Sequence, residues 1–358
     1  MVNYLDPKAP TLARTLKQAG YATGHFGKWH MGGGRDIGEA PHPQAYGFDE
    51  SFVAFEGLGD RQLIKNDGLS QASAKLGQGK IQWVEKHEMT ENYVNRAIDF
   101  ISRNKEKPFY INLWPNDVHD PHIPKPQLVE KYKDTAKSEA EMRFFAVLEE
   151  MDRQIGRLLD YIEQQGLRGE TIILLSSDNG PTDWPSYYEK GIEPPGDAGP
   201  FHGRKWSLYE GGIREPFIIC WKGTVPAGRT NEKSVVCGMD LFPSLCALAG
   251  VKIPPDLALD GRDMSRAFLG EPTIRQEPIF WEYPRTGKNP LPGIKKNVSP
   301  NLAVRQGQWK LLINADGSDV QLYNLEQDIG ESENLARQYP DITERLSARV
   351  LAWRKSLP

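Results

Sequence analysis

Cysteine is scarce. Three in 358 residues are too few for a disulfide framework. Cys220 in Pro216-Phe217-Ile218-Ile219-Cys220-Trp221, Cys237 after Val235-Val236 and Cys246 after Leu241-Phe242-Pro243-Ser244-Leu245 read as buried small apolar residues. None has a basic neighbour that would make a reactive thiolate, so cysteine usage leaves the compartment open. Long apolar runs are missing as well. No stretch approaches about 18 consecutive apolar residues, which excludes a membrane-spanning helix. The first residues carry no charged leader followed by an apolar core, so no signal peptide is expected there. Neither sign of charge is in large excess: 44 Lys and Arg stand against 48 Asp and Glu, a net charge of −4. With no long basic run, a nucleic-acid footprint is excluded, although a local cluster can still bind a single anion. Internal repeats and low-complexity tracts are absent.

What is present describes a globular protein, with 39% hydrophobic and 10% aromatic residues. The length exceeds the roughly 250–300 residues at which one core stops growing, so a large core with a smaller appendage is expected. Thr11 to Ala19 reads as a helix capped by Thr11 and ended by Gly20, followed by a strand over Tyr21–Phe26. Pro41 to Gln82 is irregular and yields no element. Glu91–Arg103 has helical period with Thr90 as its cap, and Phe109–Trp114 is a short apolar strand. Ser138–Gln165 is a long amphipathic helix with Met142, Phe145, Leu148, Met151, Ile155, Leu158, Leu159 and Ile162 on one stripe. Thr171–Ser177, the strongest strand signal, is continuously apolar, as expected inside a parallel sheet covered on both faces. Phe217–Trp221 reads as a strand and Asp240–Ala249 as a helix. This alternation predicts an α/β core with a mostly parallel sheet sandwiched by helices, over residues 1–272. After about Pro272 come short, turn-separated strands at Ile279–Tyr283, Ala303–Arg305, Trp309–Ile313 and Val320–Tyr323, and a helix from Pro340. They predict a small C-terminal antiparallel sheet plus helix over 273–358.

Four segments could carry chemistry. Gly27-Lys28-Trp29-His30-Met31-Gly32 stands at a strand end, backed by the glycines Gly32, Gly33 and Gly34, and sets two cationic donors side by side where a small anion could sit. Solvated side chains near a turn are the plainer reading of such a pair. Ser177-Asp178-Asn179-Gly180 ends the best strand, at the sheet edge where open α/β folds bind ligands. The hard oxygens of Asp178 and Asn179 suit calcium or magnesium rather than zinc; a simple turn is the alternative. Val118-His119-Asp120-Pro121-His122-Ile123-Pro124 holds two histidines in a proline-rich loop. His119 is a candidate general acid for a leaving alkoxide, and His122 is as well explained by a structural role. In Gly203-Arg204-Lys205 through Pro216, Lys205 could meet an anionic oxygen as a point charge, while Glu210 and Arg214 pair to fix a turn. Cations around an anion with a divalent metal would stabilise a transferred sulfuryl or phosphoryl group. These residues alone leave sulfate and phosphate undecided.

The string from Ala19-Gly20-Tyr21-Ala22-Thr23 through Gly32 resembles the second signature of the sulfatase family, sulfuric ester hydrolases of the alkaline phosphatase superfamily. The other three segments match that family in order and spacing, as do Asp240–Gly250, Ala303–Leu312 and Leu322-Tyr323-Asn324-Leu325 through Asn334-Leu335-Ala336. The resemblance implies that Lys28 and His30 stabilise a formylglycine nucleophile and the sulfate. It implies that His119 and Lys205 contact the sulfate, one of them assisting the leaving group, and that Asp178 and Asn179 are two calcium ligands. The family makes its formylglycine in a Cys/Ser-x-Pro-Ser-Arg stretch upstream of the Lys-x-His signature, and no such stretch occurs here. The paired aspartates of the family's first strand are missing too. The expectation is therefore an N-terminally incomplete core with weakened calcium binding, impaired turnover, and self-association through an exposed sheet edge. A periplasmic or secreted location would follow if a missing N-terminus carried a leader. The expected partner is a sulfated small molecule or carbohydrate. The alternatives are a phosphonate or phosphodiester hydrolase of the same superfamily, or a non-catalytic anion- or glycan-binding relic.

Overall fold

The computed structural model describes residues 4–33, 37–284 and 289–357; Gly34 of the expected glycine turn lies outside them. The chain divides into two compact units, Met1–Glu170 with Gly238–Ser265, and Thr171–Cys237 with Arg266–Pro358.

The first unit is built on a parallel sheet. Helix α1 (Leu12–Gln18) starts where Thr11 accepts a hydrogen bond from the Arg14 amide, the cap its sequence predicts. Strand β1 (Ala22–Lys28) follows, then β2 (Glu50–Ala54), β3 (Arg61–Ile64), helix α2 (Gly68–Lys75) and β4 (Ile81–Val84). Helix α3 (Met89–Asn104), β5 (Phe109–Trp114), the short α4 (Pro126–Val129) and the long α5 (Glu139–Gln164) complete the main segment, and Leu241–Leu248 adds a helix from the second. The strand order is β4-β3-β2-β1-β5, every neighbouring pair parallel. Because all five strands run the same way, their carboxyl ends share one rim.

Phe26, Phe52, Val84, Met89, Tyr93 and Phe100 form the core between sheet and helices, none more than 4% exposed; each such side chain contributes about 1.5–3 kcal/mol by leaving water. Gly27 is required where it stands. Its φ is +136°, and a Cβ there would lie 2.1 Å from the Trp114 carbonyl oxygen on β5.

Three expectations need correction in this unit. The stretch Pro41–Gln82 holds β2, β3 and α2. These elements are short, and β3 and α2 carry buried polar residues, which masks their period; the Arg61 guanidinium, for instance, donates to the carbonyls of Gly59, Ser73, Gly77 and Gln78 and to the Ser73 hydroxyl. Thr90 lies inside α3 rather than capping it, and its hydroxyl donates to the Asp117 carboxylate. On α5 the buried face runs through Ala146, Val147, Glu150, Gln154 and Ile162. Glu150 sits there because Lys125 at 3.0 Å, Arg153 at 2.6 Å and Gln154 at 2.7 Å satisfy it.

In the second unit, β6 (Ile173–Ser176) pairs antiparallel with β7 (Phe217–Cys220) in a two-stranded ribbon; between them come α6 (Pro185–Glu189) and α7 (Glu210–Ile213). The expectation of a central parallel strand at Thr171–Ser177 is thereby overturned. A continuous apolar run announces a capacity for burial but not a partner, and here Leu175 and Ile218 are 41% and 59% exposed. Strands β8 (Ile279–Glu282), β9 (Leu302–Gln306), β10 (Trp309–Ile313) and β11 (Gln321–Asn324) form the predicted antiparallel sheet. Leu302, Val304, Leu311 and Ile313 pack on Leu346 and Val350 of the helix Pro340–Ser356, while Ala303, Leu312 and Tyr323 pack on Leu208 and Tyr209. Both faces of this sheet are thus covered. Among the described residues, no helix is long and apolar enough to cross a membrane.

Candidate active site

Lys28 is the last residue of β1, and the chain leaves the strand along the end of β2, with Trp29 N–H donating to Ala54 O at 3.0 Å and His30 N–H to Phe55 O at 3.1 Å. Phe55 organises this part of the rim. The Lys28 ammonium lies 5.1 Å from its ring centroid, the His30 ring 4.7 Å away edge-on, and the His119 ring 5.6 Å away. Glu56 carries a carboxylate 3.8 Å from His30 Nε2. The structure therefore brings Lys28, His30 and His119 together. His30, Phe55 and Glu56 all have left-handed backbone, with φ of 45°, 54° and 64°. Non-glycine residues pay for that conformation, and such strain collects at functional sites.

His119 belongs to the loop after β5, which is pinned at several points. Tyr93 OH donates to Asn116 at 3.4 Å, Thr90 holds Asp117, and Lys125 ion-pairs with Glu91 at 3.2 Å and Glu150 at 3.0 Å. His119 Nδ1 lies 2.9 Å from the Asp120 carbonyl oxygen. With its proton donated there, the imidazole presents Nε2 as its second nitrogen. His122 is buried, its Nε2 3.1 Å from the Val118 carbonyl and its ring against Phe144. Burial holds it below the usual histidine range, in keeping with the structural role. Beneath Lys28, His25 is caged by Trp29, Phe48 and Trp114, with Nε2 3.1 Å from the Lys28 carbonyl oxygen.

The second unit carries Asp178, Asn179 and Lys205 on adjoining turns. The Gly180 amide donates to Gly212 O at 3.1 Å, and the Lys205 amide to Pro181 O at 3.0 Å. Gly180 permits this approach: a Cβ there would sit 1.9 Å from the Gly211 carbonyl oxygen. The Lys205 ammonium lies 5.8 Å from the ring of Trp206, itself left-handed at φ 70° and edge-on to Trp184. Arg204 ties down the loop 181–200 through the carbonyls of Thr182, Pro194, Pro195 and Gly196. The expected pair of Glu210 and Arg214 is a minor contact at 3.4 Å. Glu210 has a stronger partner in the buried Lys310 at 2.8 Å.

Asn179 donates its Nδ2 to the Gly180 carbonyl at 3.0 Å, which leaves Oδ1 as the atom a cation would meet. Glu215 is pushed up to about 7 by burial and by the charge of Asp178, and its Oε1 is buried without a hydrogen-bond partner. Crowded carboxylates of this kind suit a hard cation. Among the described residues, however, no group of three or more His, Cys, Asp or Glu is arranged to hold one. Asp178 and Asn179 therefore fit calcium in kind but are too few to form a full shell. A cleft of about 410 Å³, lined by Lys17, Tyr21, Asp49, Glu50, Asn104 and Lys107, lies at the amino end of β1, away from Lys28.

Phe55, Glu56 and Lys86 had no motif to mark them in the sequence. Their place at the rim follows from β2 and β4, strands the sequence hid.

Comparison with known proteins gives two family-model matches: Sulfatase over residues 2–251, and N-sulphoglucosamine sulphohydrolase, C-terminal, over residues 196–356. The N-acetylgalactosamine-6-O-sulfatase of Bacteroides thetaiotaomicron is 27% identical over 413 residues, covering 96% of this chain and 76% of that protein. The N-acetylgalactosamine-6-sulfatase of Canis lupus familiaris is 30% identical over 292 residues; the match covers 78% of this chain and 52% of the canine protein. Among solved structures, Ps i-CgsB in complex with k-i-k-neocarrahexaose aligns with a TM-score of 0.79 and 26% identity, over 99% of this chain and 76% of that one.

Proposed function

The chain belongs to the sulfatase family, a family of sulfuric ester hydrolases, and from that premise we propose that its site is built for a sulfate ester carried by a carbohydrate, which this chain binds with impaired turnover. The observation that supports this reading best is the gathering of Lys28, His30 and His119 around Phe55 at the carboxyl rim of the parallel sheet. An ammonium and two imidazoles side by side supply donors to a sulfate and to the charge that grows on it during transfer. His119, its Nδ1–H held by the Asp120 carbonyl, would serve the leaving alkoxide as general acid from its imidazolium form, giving up the Nε2 proton and returning to the neutral ring. Lys205 is assigned to the same anion by resemblance. Calcium, when bound, would offset charge on the sulfate oxygens, and Asp178 and Asn179 are assigned two of its ligands. The carbohydrate assignment draws on the names of the relatives, two of which act on N-acetylgalactosamine sulfates.

The 358 residues contain no Cys/Ser-x-Pro-Ser-Arg stretch, so they are assigned binding without a nucleophile of their own. Calorimetry tests the reading. Sulfated N-acetylgalactosamine should bind, and Lys28→Ala should weaken it about 10- to 100-fold, the cost of a lost hydrogen bond to a charged group. Calcium should bind only weakly, and an aryl sulfate should not turn over. Absence of sulfated-sugar binding would defeat the assignment. Steady turnover, or tight calcium binding, would show that the site is more complete than proposed.

We also infer self-association. Strand β5 is an edge of the parallel sheet, half-exposed along its length with Trp114 42% exposed, and an open edge with apolar neighbours recruits another strand. Sedimentation velocity should show a concentration-dependent increase in mass; a constant monomer mass would contradict this.

A further inference from the structure

We infer that Lys86 is a positioning residue of the anion site, a buried ammonium that fixes the backbone of the His119 loop. This rests on the sulfatase reading above. Lys86 opens the 3-10 turn Lys86–Glu88 that follows β4. Strands β4 and β5 are the two opposite edges of the sheet, yet the Lys86 ammonium donates to the carbonyls of both His119 and Pro121, in the loop after β5. The loop therefore crosses the rim, and Lys86 meets it from the far side. Only 5% of the residue is exposed. Four residues on, Thr90 holds the buried Asp117 of the same loop.

The chemistry argues against simple filling of space. Burying an ammonium is costly, and a methionine would fill a similar volume without that cost. Here the burial is offset by two carbonyls and by the charges of Asp117, Asp120 and Asp67. Burial, the largest influence, still pushes the ammonium down to about 8, against the pull of those three carboxylates. What the charge achieves is orientation. The two carbonyls it grips flank Asp120, whose own carbonyl accepts from the His119 ring. Fixing both sides of that peptide fixes the imidazole against Phe55, beside Lys28 and His30.

The test uses the full chain. Wild type, Lys86→Met and Lys86→Gln are titrated with sodium sulfate by calorimetry, and the histidine rings are observed by nitrogen-15 NMR. Sulfate affinity should fall about tenfold in Lys86→Met, since a displacement near 1 Å costs up to about 100-fold in an oriented site, with less loss in Lys86→Gln, which keeps a donor. The His119 ring should lose its single tautomer in Lys86→Met while the His25 ring is unchanged. Equal sulfate affinity in wild type and both variants, or an unaltered His119 spectrum, overturns the inference. A wild type that fails to bind sulfate instead overturns the sulfatase reading, and the His119 spectrum then decides Lys86 by itself. If neither variant folds, carbon-13 lysine spectra of the wild type decide: sulfate should shift the Lys86 signal but not that of Lys17, and an unmoved Lys86 signal overturns it.

Discussion

Replacing Lys310 by methionine is expected to destabilise the second unit by about 3–5 kcal/mol, the usual cost of removing one partner from a buried ion cluster. The Lys310 side chain is fully buried on β10, 2.8 Å from Glu210 Oε1 and 2.9 Å from Glu331 Oε1. The second contact is an ion pair out of line for a hydrogen bond, so charge rather than geometry holds it. Arg305 lies 3.7 Å from the other Glu210 oxygen, and the Glu210 amide donates to Glu331 Oε2 at 2.6 Å. Burial pulls the Glu210 carboxyl up, but Lys310, Arg305 and Arg214 outweigh it and hold it below the usual range. Glu331 is raised by burial and by repulsion from Glu210. Without Lys310, two carboxylates face each other in the interior, with Arg305 and Arg214 both on the Glu210 side. The midpoint of thermal unfolding should fall by about 10 °C. Adding Glu210→Gln and Glu331→Gln to the methionine variant should recover part of the loss, because the two carboxylates no longer repel, while Arg305 gives up its nearest partner. A Lys310→Met protein with unchanged stability would refute the account.

The cluster also shows how the second unit's site is held. Glu210 opens α7; the next residue, Gly211, donates its amide to His202 O at 2.6 Å, and Gly212 accepts from the Gly180 amide. The turn carrying Asp178 and Asn179 thus leans on a backbone whose first residue is anchored by an ion cluster from the C-terminal sheet. The sequence offered Arg214 as the partner of Glu210 because it stands four residues away. Lys310, one hundred residues on, could be found only from the pairing of β9 with β10.

The same distinction separates what was legible from what was not. The helix at Leu12 declared itself by its cap, and the C-terminal sheet by short strands spaced by turns, because in each case the stabilising groups are neighbours in the chain. Lys28, His30 and His119 stood out because they follow recognisable strands. Strand β3 was hidden by Arg61 and Gln62, buried polar residues satisfied by groups on other elements: Gln62 donates to Met89 O at 3.0 Å and accepts from Asn92 at 3.1 Å; β2 was hidden by its shortness. With β2 and β4 unseen, Phe55, Glu56 and Lys86 could not be placed at the rim. For β6, the apolar run was correctly a strand, but pairing direction is a property of the partner, and Phe217–Cys220 supplies an antiparallel one.

Acid should destabilise the first unit through His25. The ring is fully buried, and burial holds its pKa down at about 4, against weaker upward pulls from the carbonyls of Lys28 and Gly27. The unfolded chain titrates near 6.5. Between those values the unfolded state binds a proton that the folded state refuses, so stability is full above about pH 6.5 and is lost as pH falls toward 4. At pH 4 the loss amounts to about 3 kcal/mol. His25→Phe should remove this dependence, since phenylalanine suits the cage of Trp29, Phe48 and Trp114 and cannot be protonated. At pH 7 the variant should be about 1–3 kcal/mol weaker, because the Lys28 carbonyl loses the ring donor. Asp117, pushed up to about 6 by burial, and Glu215, pushed up to about 7, act in the opposite sense over this window, as their neutral folded forms are favoured by acid. Both are present in either protein and cancel in the difference. Urea unfolding from pH 4 to 7 should therefore give two curves that converge as pH falls and meet or cross by about pH 4. Parallel curves would mean that His25 does not titrate below its ordinary range.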